Sequence, residues 1–367
     1  MTDKSKPFKY SPDYAVPPGV TISELLNHLG MTQVELADRT GRPEKTISDI
    51  VNGKQGVTPE TALQFERVLG MSASFWNNLE KNYRESLVRI EEVKALEKQI
   101  NWLENFPIES IIKNGWMQKH DNAVAQLQEL LSFMGVASPK ELSVSCSSAI
   151  FRKSKKIQTD PWTLCAWLRK GELEAQSVEC KPYDKNKFKE SLYKIREMTI
   201  TPDTPSILPH WGKLCAESGV ALVIIQELPK LKVNGATRWL KDKAVIQLSL
   251  LNKYEDILWF SFFHEAAHIL LHGRKDVFIE DRNKFDQNDM EKEADQFAED
   301  FLVPRNEYNE FILKDDFNHS TVNNFAKKIG VGPGIVVGRL QHEGLIKYNE
   351  LASFKPRLCW KQPSKNN

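Results

Sequence analysis

Residues 261–273, SFFHEAAHILLHG, place two histidines and a glutamate inside an almost continuous apolar run. Four residues advance an α-helix by slightly more than one turn, so His264 and His268 project from the same face. Their ring nitrogens can then reach one metal ion at about 2.0–2.1 Å. Glu265 points off that axis, where a carboxylate can take a proton from water. Because a buried apolar helix carries such side chains only with strong compensation, the pattern predicts a metal site that binds Zn²⁺.

A second segment, residues 291–295 (EKEAD), supplies further candidate ligands on a predicted helix over residues 289–302. Glu291 can provide the third ligand, and a His, His, Glu set leaves the fourth position to water, as in catalytic zinc sites. Asp295, one turn further on, can accept the other ring N–H of a ligating histidine. Two alternatives stay open here: Asp295 as a direct ligand, and a chance occurrence of the short HExxH pattern.

Three neighbouring residues, His272, Glu293 and Arg274, bear on which groups could serve as further metal ligands. His272 continues the four-residue spacing, but it falls at the end of the helix, where we expect it to cap the terminus. Glu293 lies two residues from Glu291 and is expected to face solvent. Arg274 stands six positions beyond His268, which excludes the three-histidine metzincin pattern.

Strand and helix patterns around these motifs predict an α+β domain at the C-terminus, over residues 199–367. Apolar or alternating runs predict strands at residues 219–228, 235–240 and 244–250. They are followed by the helices at residues 255–271 and 289–302. Residues 83–198 are predicted to form a helical connecting region, so the whole chain is expected to be multidomain and mainly α.

Residues 32–52 have the layout of a helix-turn-helix, within an all-α N-terminal domain over residues 1–82. A predicted helix at residues 32–40 is followed by a turn through Gly41 and a second helix at residues 43–52. The start of the second helix is where base edges would be met. The outward candidates for DNA contact are Gln33, Arg42, Lys45, Thr46, Ser48 and Asn52.

Local signals mark where these N-terminal helices begin. Thr32 and Glu35 form a capping box, and Thr58 is followed by Pro59, whose backbone is preset for a first helical turn. A longer amphipathic helix is predicted over residues 82–104, after a short one at residues 74–79. It can pack on its own domain or pair with a second subunit.

Composition limits the possible partners and compartments. The 367 residues contain 50 Lys and Arg against 49 Asp and Glu, so overall charge gives no attraction to nucleic acid or membranes. Residues 1–18 have no apolar core of the kind a signal peptide needs, and the apolar runs are too short to span a bilayer. Five scattered cysteines are expected to be reduced thiols. The sequence therefore predicts a cytoplasmic protein without a membrane partner.

The C-terminal segments resemble a known family. GATRW from Gly235, the HEAAH run, EKEADQFAEDFLVP and GVGPGIVVGRLQHEGLI together are similar to the ImmA/IrrE-type metallopeptidases, over about the last 150 residues. The resemblance implies a zincin-like fold and a gluzincin-like zinc endopeptidase that acts on helix-turn-helix repressors in stress or mobile-element regulation. It implies His264, His268 and Glu291 as metal ligands and Glu265 as catalytic base. Asp295 stands where that family commonly has asparagine.

The N-terminal segment resembles a second family. PPGVTISELLNHLGMTQVELADRTG and LGMSASFWNNLEK are similar to the HigA-type antitoxins of the Xre-like helix-turn-helix class. This resemblance implies operator binding, autoregulation and a homodimer. Residues 20–80 nevertheless contain more acidic than basic side chains, and phosphate neutralisation normally supplies most nonspecific affinity for DNA. The alternative for this domain is a helical protein-interaction module.

Two functions follow as hypotheses. The first is a zinc endopeptidase coupled to a DNA-binding regulator, with a repressor or toxin protein as substrate, acting in toxin-antitoxin, stress or mobile-element regulation. The second is a non-proteolytic antitoxin or autorepressor whose zinc-fold domain binds a toxin or a ligand. The complete HExxH motif favours the first, because a pure binding fold has no need for the base Glu265.

Overall fold

The computed structural model describes residues 14–145, 159–201, 204–272, 278–279 and 289–360. The chain divides into two compact units. The first unit consists of the chain up to Asn101 together with the short segment Asn122–Val124. The second unit consists of Trp102–Asp121 and the chain from Ala125 onward. The predicted fold class is confirmed, since the described chain is mainly helical and carries one small sheet in its C-terminal part.

Five helices form the first unit: α1 (Pro18–Leu29), α2 (Gln33–Thr40), α3 (Glu44–Val51), α4 (Pro59–Leu69) and α5 (Ala73–Glu97). Their apolar faces meet in a core that includes Ile22, Leu36, Ile47, Phe65 and Trp76, each with no exposed surface. The unit therefore has its own buried core, as a separately packed domain requires.

Helix α5 differs from the sequence prediction of two helices, at residues 74–79 and 82–104. It runs without a break from Ala73 to Glu97, and a 3-10 helix over Ile100–Asn105 follows. Neither Gly nor Pro lies at the expected break, and Arg84 donates to Glu80 at 2.7 Å across it. Such pairs four residues apart support a continuous helix.

The remaining helices are α6 (Ile108–Lys113), α7 (Ala123–Met134), α8 (Pro139–Ser145), α9 (Pro161–Ser177), α10 (Lys185–Met198), α11 (Thr204–Glu217), α12 (Glu255–Leu271), α13 (Asp289–Leu302), α14 (Arg305–Ile312), α15 (His319–Ile329) and α16 (Pro333–His342), with a 3-10 turn at Ala352–Phe354. The predicted bounds of α7, α12 and α13 agree with those observed. Apolar residues recur at helical spacing in α7 and α13, whereas α12 is a long, almost continuous apolar run.

The sheet contains β1 (Val220–Ile224), β2 (Gly235–Leu240), β3 (Lys243–Leu248) and β4 (Phe278–Ile279), in the order β1-β3-β2-β4. Strand β1 is parallel to β3, and the other two pairings are antiparallel. The three predicted strands are confirmed, with β1 and β3 ending earlier than expected. Apolar residues, most of them buried, dominate β1 and β3.

Helices α12 and α13 pack together beside this sheet, and the side chains of α12 are buried almost all round. Helices α9 and α10 also belong to the second unit. Trp167 donates to the carbonyl of Ile225, and Phe188 and Leu192 lie in the core shared by the sheet and α12. These two helices fall within the predicted connecting region of residues 83–198. The proposed domain boundaries at 82 and 198 stay predictions.

The thiols agree only in part with the expectation of reduced cysteines. Cys180, Cys215 and Cys359 are free, but Cys165 takes part in a disulfide bond. Spacing along the chain does not reveal which sulfur atoms approach in space, which is why the sequence could not predict this bond. Among the residues that the structure describes, no helix is long and apolar enough to cross a bilayer.

Candidate metal centre and nucleic-acid interface

Three side chains from two helices of the second unit converge. His264 Nε2 lies 3.1 Å from His268 Nε2, and both belong to α12. Glu291, at the start of α13, places Oε2 3.2 Å from the first of these nitrogens and 3.5 Å from the second. Across the described residues, this trio is the one group of three or more potential ligands close enough together to hold a metal ion.

These distances match the requirements of a tetrahedral ion. Ligand atoms at about 2.0–2.1 Å from such an ion are separated from each other by about 3.3–3.4 Å. The three observed separations, between 3.1 and 3.5 Å, lie close to that value. Two imidazole nitrogens and one carboxylate oxygen are also a donor set that zinc prefers. The residues present therefore fit the metal that the sequence predicts.

The protonation states suit a metal site as well. Burial lowers the pKa of His268 to about 4, so its imidazole is neutral near pH 7. For Glu291, burial acts to raise the pKa, but hydrogen bonds from His264 and His268 outweigh it and hold the pKa below its ordinary value. The His268 imidazole is thus neutral and the Glu291 carboxyl ionised, which are the states that metal ligands take.

Glu265 is fully buried one residue after the first histidine. Its side chain lies against the first residue of β2, where an added Cβ on Gly235 would come within 2.5 Å of Oε1. The hydroxyl of Thr237, also on β2, donates to the backbone carbonyl of Glu265 at 3.0 Å. Strand β2 therefore borders the carboxylate and fixes the backbone that carries it.

Both histidines make a second contact through Nδ1. His264 Nδ1 lies 2.9 Å from Asp295 Oδ1, in the position that the sequence predicted for a residue orienting a ligand. His268 Nδ1 lies 2.9 Å from His272 Nδ1, and His272 Nε2 in turn lies 3.3 Å from Glu293 Oε2. Sequence reasoning gave His272 and Glu293 no part in the site. The only signal available was the spacing of four residues from His268 to His272.

Six residues predicted to contact DNA lie on or beside α2 and α3 in the first unit. Gln33, Lys45 and Asn52 are exposed, whereas Thr46 and Ser48 are partly buried. Lys45 and Thr46 lie in the first turn of α3, as recognition by the start of that helix requires. Asn52 follows the last turn, and its amide donates to the carbonyl of Ser48 at 2.8 Å.

Arg42 is held by its own domain. Its Nε donates to Gln64 at 2.5 Å and its guanidinium pairs with Glu60 at 3.3 Å, with the side chain 18% exposed. Sequence reasoning placed this arginine facing outward, but its contacts tie the turn before α3 to α4. The structure thus leaves Lys45 as the exposed basic residue among the six predicted contacts.

Family comparisons cover both units. Residues 243–341 match the IrrE N-terminal-like domain of the M78 peptidases, a span that includes α12 and α13 with all three candidate ligands. Residues 22–76 match the helix-turn-helix family. Virulence-associated protein A of Dichelobacter nodosus is 34% identical over 73 residues, which are 19% of this chain and 72% of that protein. The chain belongs to the same helix-turn-helix family as Virulence-associated protein A, and it carries an IrrE N-terminal-like domain.

Solved structures are also similar to part of this chain. An addiction module antidote protein of the HigA family from Coxiella burnetii is 29% identical, with a TM-score of 0.22, over 23% of this chain and 92% of that one. The Pseudomonas aeruginosa antitoxin HigA, solved with the higBA promoter, is 26% identical with the same TM-score, over 23% and 94% of the two chains.

Proposed function

We propose that this HigA-like, IrrE-like protein is a zinc-dependent endopeptidase that cleaves a regulatory protein. The observation that carries the proposal is that the ligand atoms of His264, His268 and Glu291 are separated by distances close to those around a tetrahedral ion. The buried Glu265 lies on the same helix as the two histidines. A site that only held zinc structurally would use four protein ligands, whereas three ligands leave a position for water or substrate.

The chain's own residues divide the work of peptide hydrolysis. His264, His268 and Glu291 would hold the ion, which when bound supplies Lewis acidity toward a peptide carbonyl and toward water. Glu265 accepts a proton from the attacking water and delivers it to the leaving amine. Asp295 holds the His264 ring so that its Nε2 faces the other two ligands.

For the first unit we propose operator DNA as the partner, bound by a homodimer in the cytoplasm. Two exposed polar residues, Gln33 at the start of α2 and Lys45 at the start of α3, support this proposal. Arg39 is paired with Glu35 and Arg42 with Glu60, so few basic side chains are available for phosphates. A single unit would therefore bind weakly, and two copies on one operator would supply the affinity.

The test is the variant Glu265→Gln, compared with the parent protein. We expect Glu265→Gln to bind one zinc per chain, because none of the three ligands changes, and to lose cleavage of a candidate repressor or toxin. Zinc content is measured on the purified protein and cleavage by intact-mass analysis. Cleavage at the parent rate by Glu265→Gln would remove this residue as the base.

The same assay separates the alternative function. A non-proteolytic antitoxin or autorepressor would bind a toxin or a ligand through the second unit without altering its mass. A stable complex with an uncleaved toxin, formed equally by the parent and Glu265→Gln, would favour that regulator over the protease.

A further inference from the structure

The two candidate histidine ligands are supported in different ways. His264 meets the carboxylate of Asp295 directly, at 2.9 Å. His268 meets a second imidazole, that of His272, whose far nitrogen then lies 3.3 Å from Glu293. Both supporting groups contact Nδ1, the nitrogen that does not face the other ligands. Asp295 therefore contacts Nδ1 of the His264 ring, and His272 contacts Nδ1 of the His268 ring.

In the series of contacts from His268 through His272 to Glu293, the proton positions have one consistent assignment. If His268 uses Nε2 as a ligand, its Nδ1 carries the proton and donates to Nδ1 of His272. His272 then carries its own proton on Nε2, which donates to the carboxylate of Glu293. Each donor in this series of hydrogen bonds meets an acceptor, and the series ends at the exposed carboxylate of Glu293.

Burial indicates that His272 is held in place. Its side chain is 5% exposed, although the residue lies at the end of α12, whereas Glu293 is 63% exposed. His272 also cannot serve as a further ligand in this arrangement, because it contacts the edge of His268 opposite to Nε2. Its helix-capping contact is made by the backbone, since its N–H donates to the carbonyl of His268. This capping bond therefore does not use the imidazole of His272.

We propose that His272, supported by Glu293, is a positioning residue that sets the tautomer and orientation of His268 for zinc binding. This inference rests on the proposed zinc site. In this arrangement both histidine ligands are supported: the carboxylate of Asp295 supports His264, and the imidazole of His272 with the carboxylate of Glu293 supports His268. Loss of such an outer contact typically weakens metal affinity by about 10–100-fold.

The experiment measures zinc affinity of the full-length protein by competition with a chromophoric chelator. In His272→Leu the acceptor for Nδ1 is lost, and we expect affinity to fall by about tenfold or more. In His272→Asn the amide oxygen can take the place of Nδ1 as acceptor, so affinity should be largely restored. Glu293→Gln should give a smaller loss, because this carboxylate is well exposed to water.

Two controls separate the possible outcomes. Glu310→Gln changes an exposed glutamate on α14 and should leave affinity unchanged. The absorption spectrum of the Co²⁺-loaded protein should shift in His272→Leu and return in His272→Asn, which loss of a helix cap would not produce. Melting of the metal-free variants shows whether they fold. If His272→Leu does not fold, the comparison of Glu293→Gln with Glu310→Gln carries the test.

The results distinguish this inference from the function on which it rests. A parent protein that binds no zinc would overturn the proposed metalloprotease and the inference together. A parent protein that binds zinc, with equal affinity in His272→Leu or, where that variant is unfolded, in Glu293→Gln, would overturn the positioning role alone. Cleavage by the parent protein would then still support the protease.

Discussion

At the scale of single residues, the tightest constraint on the candidate base comes from a residue without a side chain. An added Cβ on Gly235 would lie 2.5 Å from Glu265 Oε1 and 2.7 Å from its Cγ. These distances are well inside van der Waals contact, and both residues are buried. Only glycine at the start of β2 therefore leaves room for the carboxylate in its observed position.

Gly235→Ala tests this contact. We expect the variant to lose about 1–3 kcal/mol of unfolding free energy, because overpacking forces side chains out of their preferred rotamers. Cleavage should fall more than zinc affinity, since Glu265 is displaced while the three ligands are unchanged. Denaturant unfolding, zinc competition and the cleavage rate measure the three effects.

The matched control is Gly212→Ala in helix α11, where an added Cβ would have no heavy atom within 4 Å. A methyl group there should stabilise by about 0.5–1 kcal/mol, because alanine is the better helix former. Equal stability losses in the two alanine variants would contradict the steric argument for Gly235.

At the scale of elements, the start of α12 depends on a distant segment of the chain. Asp256 in its first turn pairs with Lys355 at 2.9 Å, and both side chains are more than nine-tenths buried. The backbone of Glu255 also donates to the carbonyl of Pro356. Residues 355–356 thus fix the N-terminus of the helix that carries His264, Glu265 and His268.

Lys355→Met should destabilise the protein by about 3–5 kcal/mol near neutral pH, because it leaves a buried carboxylate without its counter-charge. Burial already raises the pKa of Asp256 in the parent protein, with Lys355 opposing that shift, so removing the lysine raises it further. A carboxyl group whose pKa is higher in the folded than in the unfolded protein favours folding when it is protonated. Its contribution to the unfolding free energy is therefore present at low pH and is lost as pH rises. The deficit of Lys355→Met should therefore shrink toward about pH 5.

Urea unfolding at several pH values measures this dependence. The double variant Asp256→Asn/Lys355→Met removes both charges and should recover much of the lost stability at neutral pH. A deficit that stays constant with pH would argue against an uncompensated Asp256 carboxylate as its cause.

Helix α2 offers a second test at this scale. The hydroxyl of Thr32 accepts a hydrogen bond from the N–H of Glu35 at 3.1 Å, as the capping box predicts. Thr32→Ala should cost about 1 kcal/mol of stability in the first unit, while Thr32→Ser should keep most of it. Equal melting temperatures for the alanine and serine variants would show that the cap contributes nothing.

At the scale of the whole molecule, the two proposed activities use different compact units. The candidate ligands, Glu265, His272 and Asp295 all belong to the second unit, and the candidate DNA contacts all belong to the first. Each unit has a separate buried core. We therefore expect a change within one core to act first on the activity of its own unit.

Removal of metal with a chelator should abolish cleavage and leave operator binding unchanged. Fluorescence anisotropy with operator DNA and the cleavage assay measure the two activities on the same sample. Lys45→Ala should show the reverse pattern, with weaker DNA binding, a smaller dependence on salt and unchanged cleavage. Loss of DNA binding on chelation would show that the units depend on each other.

The sequence by itself determined most of the local structure. A long apolar run predicted α12, periodic apolar residues predicted α13, and apolar or alternating runs predicted three of the four strands. Capping signals at Thr32 and Thr58 predicted where α2 and α4 begin. These features depend on interactions within about one turn or one strand, which a linear sequence displays directly. The spacing of His264 and His268 belongs to this class.

Tertiary structure alone decided the contacts between distant parts of the chain. The approach of Gly235 to Glu265, the pairing of Asp256 with Lys355 and the tie from Arg42 to Glu60 each join residues well separated in sequence. Even the contact of His268 with His272 required rotamers that only the packed core selects. Such contacts depend on how whole elements dock, and side-chain spacing along one element does not encode that arrangement.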